Sequence, residues 1–542
     1  MKSFKLISAV LLVSCTFTFS GNLFAQGTKK PATPVVISKE QASELKKIAS
    51  AQFKDQNFKG ALESYVKLVA FDPEDMDFNY KLGMCYLNTN SDRSQAIQYF
   101  VKASEKKDAP KDVYYQMGRS LLIAGLFDEA IEAFEKYKEV NHGQVNAKFN
   151  LDQYTEYCYN AKEYTKKPLE VKFTNPGKLV NSKGSEYAPV SMAVDTLLFF
   201  TSSRQGNTGG IVDGLGEIIP DVYFCSRTDS VWTKAKNAGI NINSELYEIS
   251  SGMTSNGDKL LIYKESAVAV GDIYISELKG KSWQKSAVVD PAFETKTLET
   301  GACMSNDGKR IFFAADMKGT LGGKDIYMIE MDENKKWGEP VNLGPTVNTK
   351  FNEDNPVLWH DGKTLFFASQ GHTSMGGYDI FMTSRPDPSS DWAKPFNIGY
   401  PLNTYDDDLY FTLAANARTG YVSAVKPKGL GDLDIWYFKL KEPLIKNAGT
   451  LYRASIFSPQ GLPAKETACS VVKESTGEVL GVMDANGPNS EIFILLPPGN
   501  YKLKARSPKM GRLEEDIAIT GDEGEKGIRK VLKLQANPSS NP

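Results

Sequence analysis

The sequence predicts a multidomain chain that changes class along its length, from helical repeats to a five-bladed β-propeller to a small β-sandwich. Three observations lead there. From Gln41 to Thr165 apolar residues recur at helical spacing, with a longer period of 34 or 35 residues laid over them. Past Pro168 short β runs take over, and an Asp–apolar–aromatic triplet returns five times at intervals of 51, 53, 54 and 55 residues. From Gly449 to Leu534 alternating strands are divided by Gly- and Pro-containing turns. The expected boundaries are 1–25 for an export signal, 26–40 for a linker, 41–165 for the helical repeats, 169–441 for the propeller, 447–535 for the sandwich and 536–542 for a disordered tail.

Composition narrows the function. The 542 residues suffice for about three or four domains of roughly 150 residues. With 64 Lys and Arg against 66 Asp and Glu, no basic excess points to nucleic acid or an anionic membrane surface. Only His142, His360 and His372 are present, so acid–base chemistry and zinc sites have little material.

At the N-terminus Lys2 and Lys5 precede an apolar stretch from Leu6 to Phe19, and Leu23-Phe24-Ala25 offers a cleavage site. Leu12-Val13-Ser14-Cys15 also resembles a lipobox, whose Cys15 would be lipidated. The residues after Cys15 stay apolar where a lipoprotein turns polar, so ordinary cleavage is preferred. Both readings take the chain out of the cytoplasm, and no later stretch approaches the ~20 apolar residues of a membrane span. Cys85, Cys158, Cys225, Cys303 and Cys469 fall singly in different elements, which suits small buried apolar residues better than a disulfide framework.

In the helical region Ala61, Ala96 and Ala130 each precede an aromatic by four residues, namely Tyr65, Phe100 and Phe134. Each Ala also follows a small residue by twelve or thirteen: Ala49, Gly83 and Gly118. Small residues let the two helices of a hairpin approach, and the aromatic is expected to fill the gap against the next repeat. The pattern resembles three tetratricopeptide repeats, without that family's first-helix Trp, capped by a helix around Asn146 to Tyr164. The resemblance implies a concave partner-binding face from the first helix of each hairpin: Tyr80, Met84 and Leu87, then Tyr115, Arg119 and Leu122. Tyr and Arg are residue types that dominate interface energetics.

The β triplets start at Asp221, Asp272, Asp325, Asp379 and Asp434, and four are followed by Trp232, Trp283, Trp337 and Trp392. Asn256-Gly257, Asp307-Gly308 and Asp361-Gly362 suit type I′ hairpin turns, with Thr419-Gly420 in their place in the fifth unit. About 50 residues with four short strands make a propeller blade. The fifth unit lacks a Trp strand, and Asn175 to Ser182 matches the ends of other units such as Val341 to Thr349. The entering chain is therefore expected to supply the outer strand of the last blade and close the ring. Five residues on from Asn181, Asn243, Glu294, Asn348 and Asn403 stand Glu186, Glu248, Glu299, Glu353 and Asp408. These acids are expected around one rim of the channel. The preferred reading is that each is bonded locally as a repeated staple; the alternative is a shared cation such as Ca²⁺, or a basic partner. The motif order resembles the TolB-like, WD-like propellers of bacterial envelopes.

In the last region strands are expected at Thr450 to Phe457, Ala468 to Lys473, Val479 to Met483, Glu491 to Leu495 and Tyr501 to Ala505, an arrangement that resembles the carboxypeptidase regulatory-like sandwich. The order of the three modules resembles periplasmic proteins of the Bacteroidota envelope, some tied to type IX secretion and gliding. Those relatives usually end in an OmpA-like peptidoglycan-binding domain; this chain ends before one could begin, so peptidoglycan is expected at most as an indirect partner. No G-x-S-x-G, P-loop, G-x-G-x-x-G or H-E-x-x-H is present. No catalytic residue is assigned and no cofactor is expected. The preferred function is a non-enzymatic periplasmic scaffold whose partners are envelope or outer-membrane proteins. The alternatives are a propeller that binds glycan or peptidoglycan fragments and, third, a hydrolase using two carboxylates brought together in space.

Overall fold

The computed structural model describes residues 37–536 apart from 91, 194–195, 214–215, 229–230, 256, 266–270, 281, 290–298, 447, 466, 486–489, 522 and 524–526. The expected export segment with Cys15, most of the linker, Asn256, Glu294 and residues 537–542 lie outside the described residues.

Among the described residues seven α-helices come first: α1 Lys39–Lys54, α2 Phe58–Phe71, α3 Met76–Leu87, α4 Ala96–Ser104, α5 Val113–Ile123, α6 Phe127–Val140 and α7 Leu151–Tyr164. The region opens two residues earlier than expected because Ser38 is the cap. Its Oγ accepts from the Gln41 N–H at 3.2 Å, and Gln41 Oε1 accepts from the Ser38 N–H at 2.8 Å. Helices α1 to α6 pair as three hairpins and α7 packs on α6. Ala61, Ala96, Ala130, Tyr65, Phe100 and Phe134 are fully buried. One detail of the repeat differs from expectation. A Cβ added at Gly83 would lie 2.7 Å from the Phe100 ring, and one at Gly118 would lie 2.4 Å from Phe134. The aromatic therefore fills the gap inside its own hairpin, over bare glycine backbone, and not against the next repeat. Asn150 takes a left-handed conformation (φ 45°), so the capping helix starts at Leu151 and not at Asn146.

Five antiparallel sheets follow. After β1 (Val171–Thr174), the first sheet contains β2 (Glu186–Ser191), β3 (Leu197–Ser202) and β4 (Asp221–Thr228), with short outer pieces β5 (Val231–Trp232) and β6 (Lys236–Asn237). The second contains β7 (Glu248–Met253), β8 (Lys259–Lys264) and β9 (Asp272–Lys279), with β10 (Ser282–Trp283) and β11 (Ala287–Val288) outside. The third is β12 (Glu299–Met304), β13 (Arg310–Ala315), β14 (Asp325–Glu330) and β15 (Val341–Asn342). The fourth is β16 (Glu353–Leu358), β17 (Thr364–Ser369), β18 (Asp379–Ser384) and β19 (Phe396–Asn397). The fifth is β20 (Phe411–Leu413), β21 (Thr419–Ala424) and β22 (Asp434–Leu440), and β1 completes it. Strands β2, β7, β12 and β16 touch in that order, Phe366 of β17 meets Phe411 of β20 at 5.1 Å, and β20 lies back beside β2. The sheets thus succeed one another around a ring.

Closure comes from the entering chain. Strand β1 runs antiparallel to β22, with Val171 opposite Leu440 and Thr174 opposite Tyr437. The Trp residues wedge each sheet against the one before: Trp232 meets Tyr421 at 5.8 Å, Trp283 meets Phe199 at 5.4 Å and Trp392 meets Phe312 at 6.0 Å. The fifth sheet has no such Trp, and Leu169, Val171 and Phe173 pack there against the fourth sheet's Ile380 and Met382.

The recurring Asp and Asn are explained by one hydrogen-bonded latch. In the fifth sheet Asn181 Oδ1 accepts from the Ile435 N–H (2.9 Å) while its Nδ2 donates to the Ile435 carbonyl (3.0 Å) and to Asn175 Oδ1 (2.9 Å). Asn175 Nδ2 donates in turn to Asp434 Oδ2 at 2.8 Å. The same set joins Asn243, Asn237 and Asp221, then Asn348, Asn342 and Asp325, then Asn403, Asn397 and Asp379. Buried backbone groups at the start of the third strand are satisfied this way in each of these sheets.

The hairpin turns are not type I′. Gly257, Gly308 and Gly362 have φ near 70°, but Asp307 and Asp361 do not have positive φ. Each Gly N–H donates to a carbonyl three residues back (Thr254, Ser305, Trp359), so an ordinary turn is followed by one left-handed residue. In the fifth sheet the turn is Ala414 to Ala417, with Ala417 left-handed at φ 53°, and Thr419-Gly420 belongs to β21. Gly420 is required because a Cβ there would lie 2.0 Å from the Thr412 carbonyl oxygen.

The C-terminal strands are β23 Thr450–Phe457, β24 Thr467–Lys473, β25 Val479–Ala485, β26 Glu491–Leu496, β27 Gly499–Ser507, β28 Gly511–Ile519 and β29 Ile528–Lys533. They form the sheets β26-β23-β29 and β25-β24-β27-β28, which share a core that includes Tyr452, Ile456, Val471, Leu503 and Ile517. Strands β28 and β29 were not anticipated, because Glu514, Glu515 and Asp516, and Arg529, Lys530 and Lys533, interrupt the apolar alternation. The five cysteines expected to be buried are buried. Among the described residues no helix is long and apolar enough to cross a membrane.

Candidate functional site

Helices α3 and α5 carry the residues expected on the concave face. Tyr80 Oη donates to both oxygens of Asp112 (3.0 and 2.9 Å), which also accepts from Gln116 Nε2 at 3.0 Å. Arg119 donates to Gln116 Oε1 at 3.0 Å, and its guanidinium sits 5.8 Å from the Tyr154 ring. Burial, with Asp112 alongside, pushes the Tyr80 phenol well above its ordinary value, so it stays a donor. Tyr80, Met84 and Arg119 are half-buried on this face. Leu87 (2 % exposed), Tyr115 (5 %) and Leu122 (1 %) are not available to a partner, which corrects their assignment. Tyr115 stacks on Phe149 at 4.3 Å and donates to the Phe149 carbonyl at 2.6 Å, because α7 and its leading turn fold back over it.

The end of this groove is already filled from within the chain. The loop between β17 and β18 enters it with Met375, which is 0 % exposed and packs in one cluster with Tyr115, Leu121 and Leu122. Gln153 Nε2 and Tyr157 Oη both donate to the Gln370 carbonyl (2.6 and 2.7 Å), and Asn160 Nδ2 donates to the Ser374 carbonyl (2.8 Å). Tyr164 and Thr373 hydroxyls are 2.9 Å apart, and Phe127 meets Tyr405 edge-on at 5.1 Å. Ion pairs frame the contact: Arg93 with Asp406, and Lys59 with Glu217 (2.7 Å) and Asp432 (2.8 Å). Helical spacing points to the face of α3 and α5, but nothing local in the sequence couples positions 153–164 to 370–375.

All these ring residues lie at one end of the strands, in loops after the second strand or in connections to the next sheet. The first hairpin turns lie at the other end, where the C-terminal unit docks. There Leu451 and Phe493 pack with Ala193 and Ala415, and the Leu444 N–H donates to the Ala417 carbonyl at 2.8 Å. Helical repeats and C-terminal unit therefore occupy opposite faces of the ring.

The five acids sit at or just before the innermost strands, all buried. Glu186 accepts from the Ser182 N–H (2.7 Å), Ser182 Oγ (2.6 Å), Ser202 Oγ (2.7 Å) and Arg204 (3.1 Å). Glu353 accepts from the Thr349 N–H (2.8 Å), Thr349 Oγ1 (2.7 Å) and Ser369 Oγ (2.6 Å). Glu248 accepts from Ser244 N–H and Oγ with Lys264 at 3.3 Å, and Asp408 accepts from Thr404 N–H and Oγ1. Each of these four is turned sideways into its own loop, as the staple reading requires, so they do not converge on the axis. Glu299 is buried at the corresponding place. Among the described residues no group of three or more metal-ligating side chains could hold an ion.

Burial pushes Glu353 and Asp408 up to about 7. In the folded chain they keep protons that the unfolded chain releases near its ordinary carboxylate values. Stability should therefore fall as pH rises from about 4 to about 7 and level off above, with a slope of up to about 1.4 kcal/mol per pH unit for each group. Glu353→Gln and Asp408→Asn should each flatten this slope, raising the melting temperature near pH 8 and leaving it unchanged near pH 4. Thermal melts across that range read the result; a slope identical to the parent would show that neither group carries it.

At the end of the channel nearer the C-terminal unit, a cavity of about 40 Å³ is lined by Ser191, Ser255, Asn306, His360 and Thr412 among others. His360 Nδ1 lies 2.7 Å from Ser255 Oγ, a Ser–His pair that the sequence placed no closer than separate hairpin turns. Burial lowers His360 to about 4, which leaves a weak base, and the cavity has room for one or a few waters. The pair satisfies polar groups of neighbouring turns; it has no space for a substrate. His372 Nε2 donates to the Val347 carbonyl at 2.8 Å, and the residue is likewise built into a loop.

No protein-family model and no curated protein matches the chain. Among solved structures it is similar to the TPR2B domain of yeast Sti1 (21% identity over 22% of this chain and 96% of that one, TM-score 0.19). It is also similar to a putative TolB from Agrobacterium tumefaciens (14% identity, 61% and 99% covered, TM-score 0.30). A third is an α-L-arabinofuranosidase from Lactobacillus brevis (12% identity, 49% and 92% covered, TM-score 0.31). These likenesses assign the chain to no family.

Proposed function

We propose that the chain is a non-enzymatic scaffold of the cell envelope, exported by its N-terminal segment into the periplasm, where it joins envelope or outer-membrane proteins. In this reading the five sheets are the blades of a five-bladed propeller, the helices are tetratricopeptide-like repeats, and β23 to β29 form a carboxypeptidase regulatory-like sandwich. The observation that carries it is the fixing of two modules to opposite faces of one ring, by the Met375 loop on one side and the Ala415 and Ala417 turns on the other. Such a body holds surfaces at set distances. Peptidoglycan is at most an indirect partner in this reading, and type IX secretion or gliding is the setting the module order suggests.

Affinity capture from native envelopes, read by mass spectrometry, tests the proposal. Stoichiometric envelope proteins are expected, and their capture should drop about tenfold or more in the double variant Tyr80→Phe with Arg119→Ala at unchanged helical signal. Recovery of the chain alone would overturn the scaffold.

A further inference from the structure

Several tyrosine hydroxyls of the chain are spoken for. Those of Tyr80, Tyr115, Tyr157, Tyr223, Tyr247 and Tyr501 all donate to protein acceptors. At the end of the channel facing the helical repeats three are not. Tyr187 lies on β2, Tyr410 just before β20 and Tyr378 just before β18, all next to innermost strands or latches. Each is only partly buried, and their hydroxyls have no hydrogen-bond partner among the described residues. The Tyr187 and Tyr410 rings are 5.4 Å apart and tilted by 38°.

Tyr410 also lines a cavity of about 20 Å³ in the channel, together with Ala188, Ser250 and Asn355. The Asn355 carboxamide has no protein partner either, and its side chain lies over Gly301, where a Cβ would come within 2.4 Å of Asn355 Oδ1. Two residues of this lining, Ala188 (φ 51°) and Asn355 (φ 46°), hold left-handed backbone without being glycine. Strain of this kind persists where surrounding structure enforces it, often at binding sites. The nearby carboxylate of Asp354 is already consumed by Lys324 and by Thr300 Oγ1 at 2.6 Å.

We propose that this mouth is a saccharide-binding site, in which Tyr187 and Tyr410 stack on the C–H face of a neutral pyranose while their hydroxyls, Tyr378 and Asn355 bond its hydroxyl groups. The chemistry selects that class. Aromatic faces favour an apolar surface, but a wholly apolar ligand would strand four polar groups without partners. The Lys324–Asp354 ion pair beside the mouth is closed on itself, so it does not call for a charged ligand. The cavity below holds about one water, so the sugar sits at the mouth and does not thread the channel. The site goes beyond the scaffold reading and does not depend on it.

Isothermal titration of the full chain with N,N′-diacetylchitobiose, cellobiose and maltotriose tests it. Saturable binding of at least one is expected, weakened about tenfold in Tyr187→Phe with Tyr410→Phe, which removes hydroxyls and keeps ring volume. Melting temperature checks that the double variant folds; where it does not, Asn355→Ser serves in its place and should weaken binding in the same direction. Absence of binding for all three sugars, or binding unchanged in a folded variant, overturns the proposal. Protein capture by the same variants should stay at the parent level, which separates this outcome from failure of the scaffold.

Discussion

Asn181→Ala is expected to lower stability by about 3 kcal/mol and to open the ring. The change deletes the three hydrogen bonds that Asn181 makes to Ile435 and Asn175 and leaves buried backbone groups unsatisfied, at about 1 kcal/mol for each bond lost. The same chemistry is lost in Asn348→Ala, where the bonds run to Ile326 and Asn342. The two should nevertheless differ. Strand β15 is tied to β14 by a short connection, so it stays near its site when the latch is cut. Strand β1 is tied to β22 only through the rest of the ring, and once released it faces the entropy of closing a loop of more than 250 residues. Hydrogen exchange should therefore accelerate along both β1 and β22 in Asn181→Ala, and stay local to the turn in Asn348→Ala. Equal exchange patterns in the two variants would show that β1 does not close the ring.

Met375→Asp should separate the helical repeats from the ring. The side chain is fully buried among Tyr115, Leu121 and Leu122, so a carboxylate there either drags water in or leaves, at a cost of several kcal/mol. Leaving carries away the Gln370 and Ser374 carbonyls, and with them the bonds from Gln153, Tyr157 and Asn160. The expected reading is two melting transitions in place of one, with new protease cleavage between β17 and β18. Met375→Leu, which conserves volume, should cost less than about 1.5 kcal/mol and keep a single transition. A single transition in Met375→Asp at the parent temperature would mean that the loop does not hold the two regions together.

Much of this architecture was legible in the residues. The period of 34 or 35 gave three hairpins, because only small residues at Ala49, Gly83 and Gly118 permit the close helix approach that Tyr65, Phe100 and Phe134 cover. Five Asp triplets gave five sheets, and in four of them the Asp closes the same latch with the Asn of an outer strand; in the second sheet Val288 holds the place of that Asn. The match of Asn175 to Ser182 with Val341 to Thr349 identified β1 as the strand of the fifth sheet for the same reason. Strands β28 and β29 escaped notice since their charged residues break the alternation on which strand reading depends.

What the sequence determined by itself was the set of units repeated along the chain: the helical hairpins, the five sheets, the stapled acids and the closing strand. What only the tertiary structure decided was which surfaces remain free. Tyr115 and Leu122 stand at positions a groove would use, yet α7 and the Met375 loop cover them, and that loop arrives from over two hundred residues away; Leu87 is buried instead in the cluster of Ala96, Phe100 and Val113. The rim acids have the spacing of a converging ring, yet Ser182, Ser244, Thr349 and Thr404, four residues before them, turn four of the carboxylates aside. Tyr187, Tyr378 and Tyr410 look like any strand aromatics, and only the bend of five sheets around an axis brings their unpartnered hydroxyls to one mouth. The physical reason is common to all three cases: periodicity reports which side of its own element a residue faces, and burial depends on what the rest of the chain lays against that side.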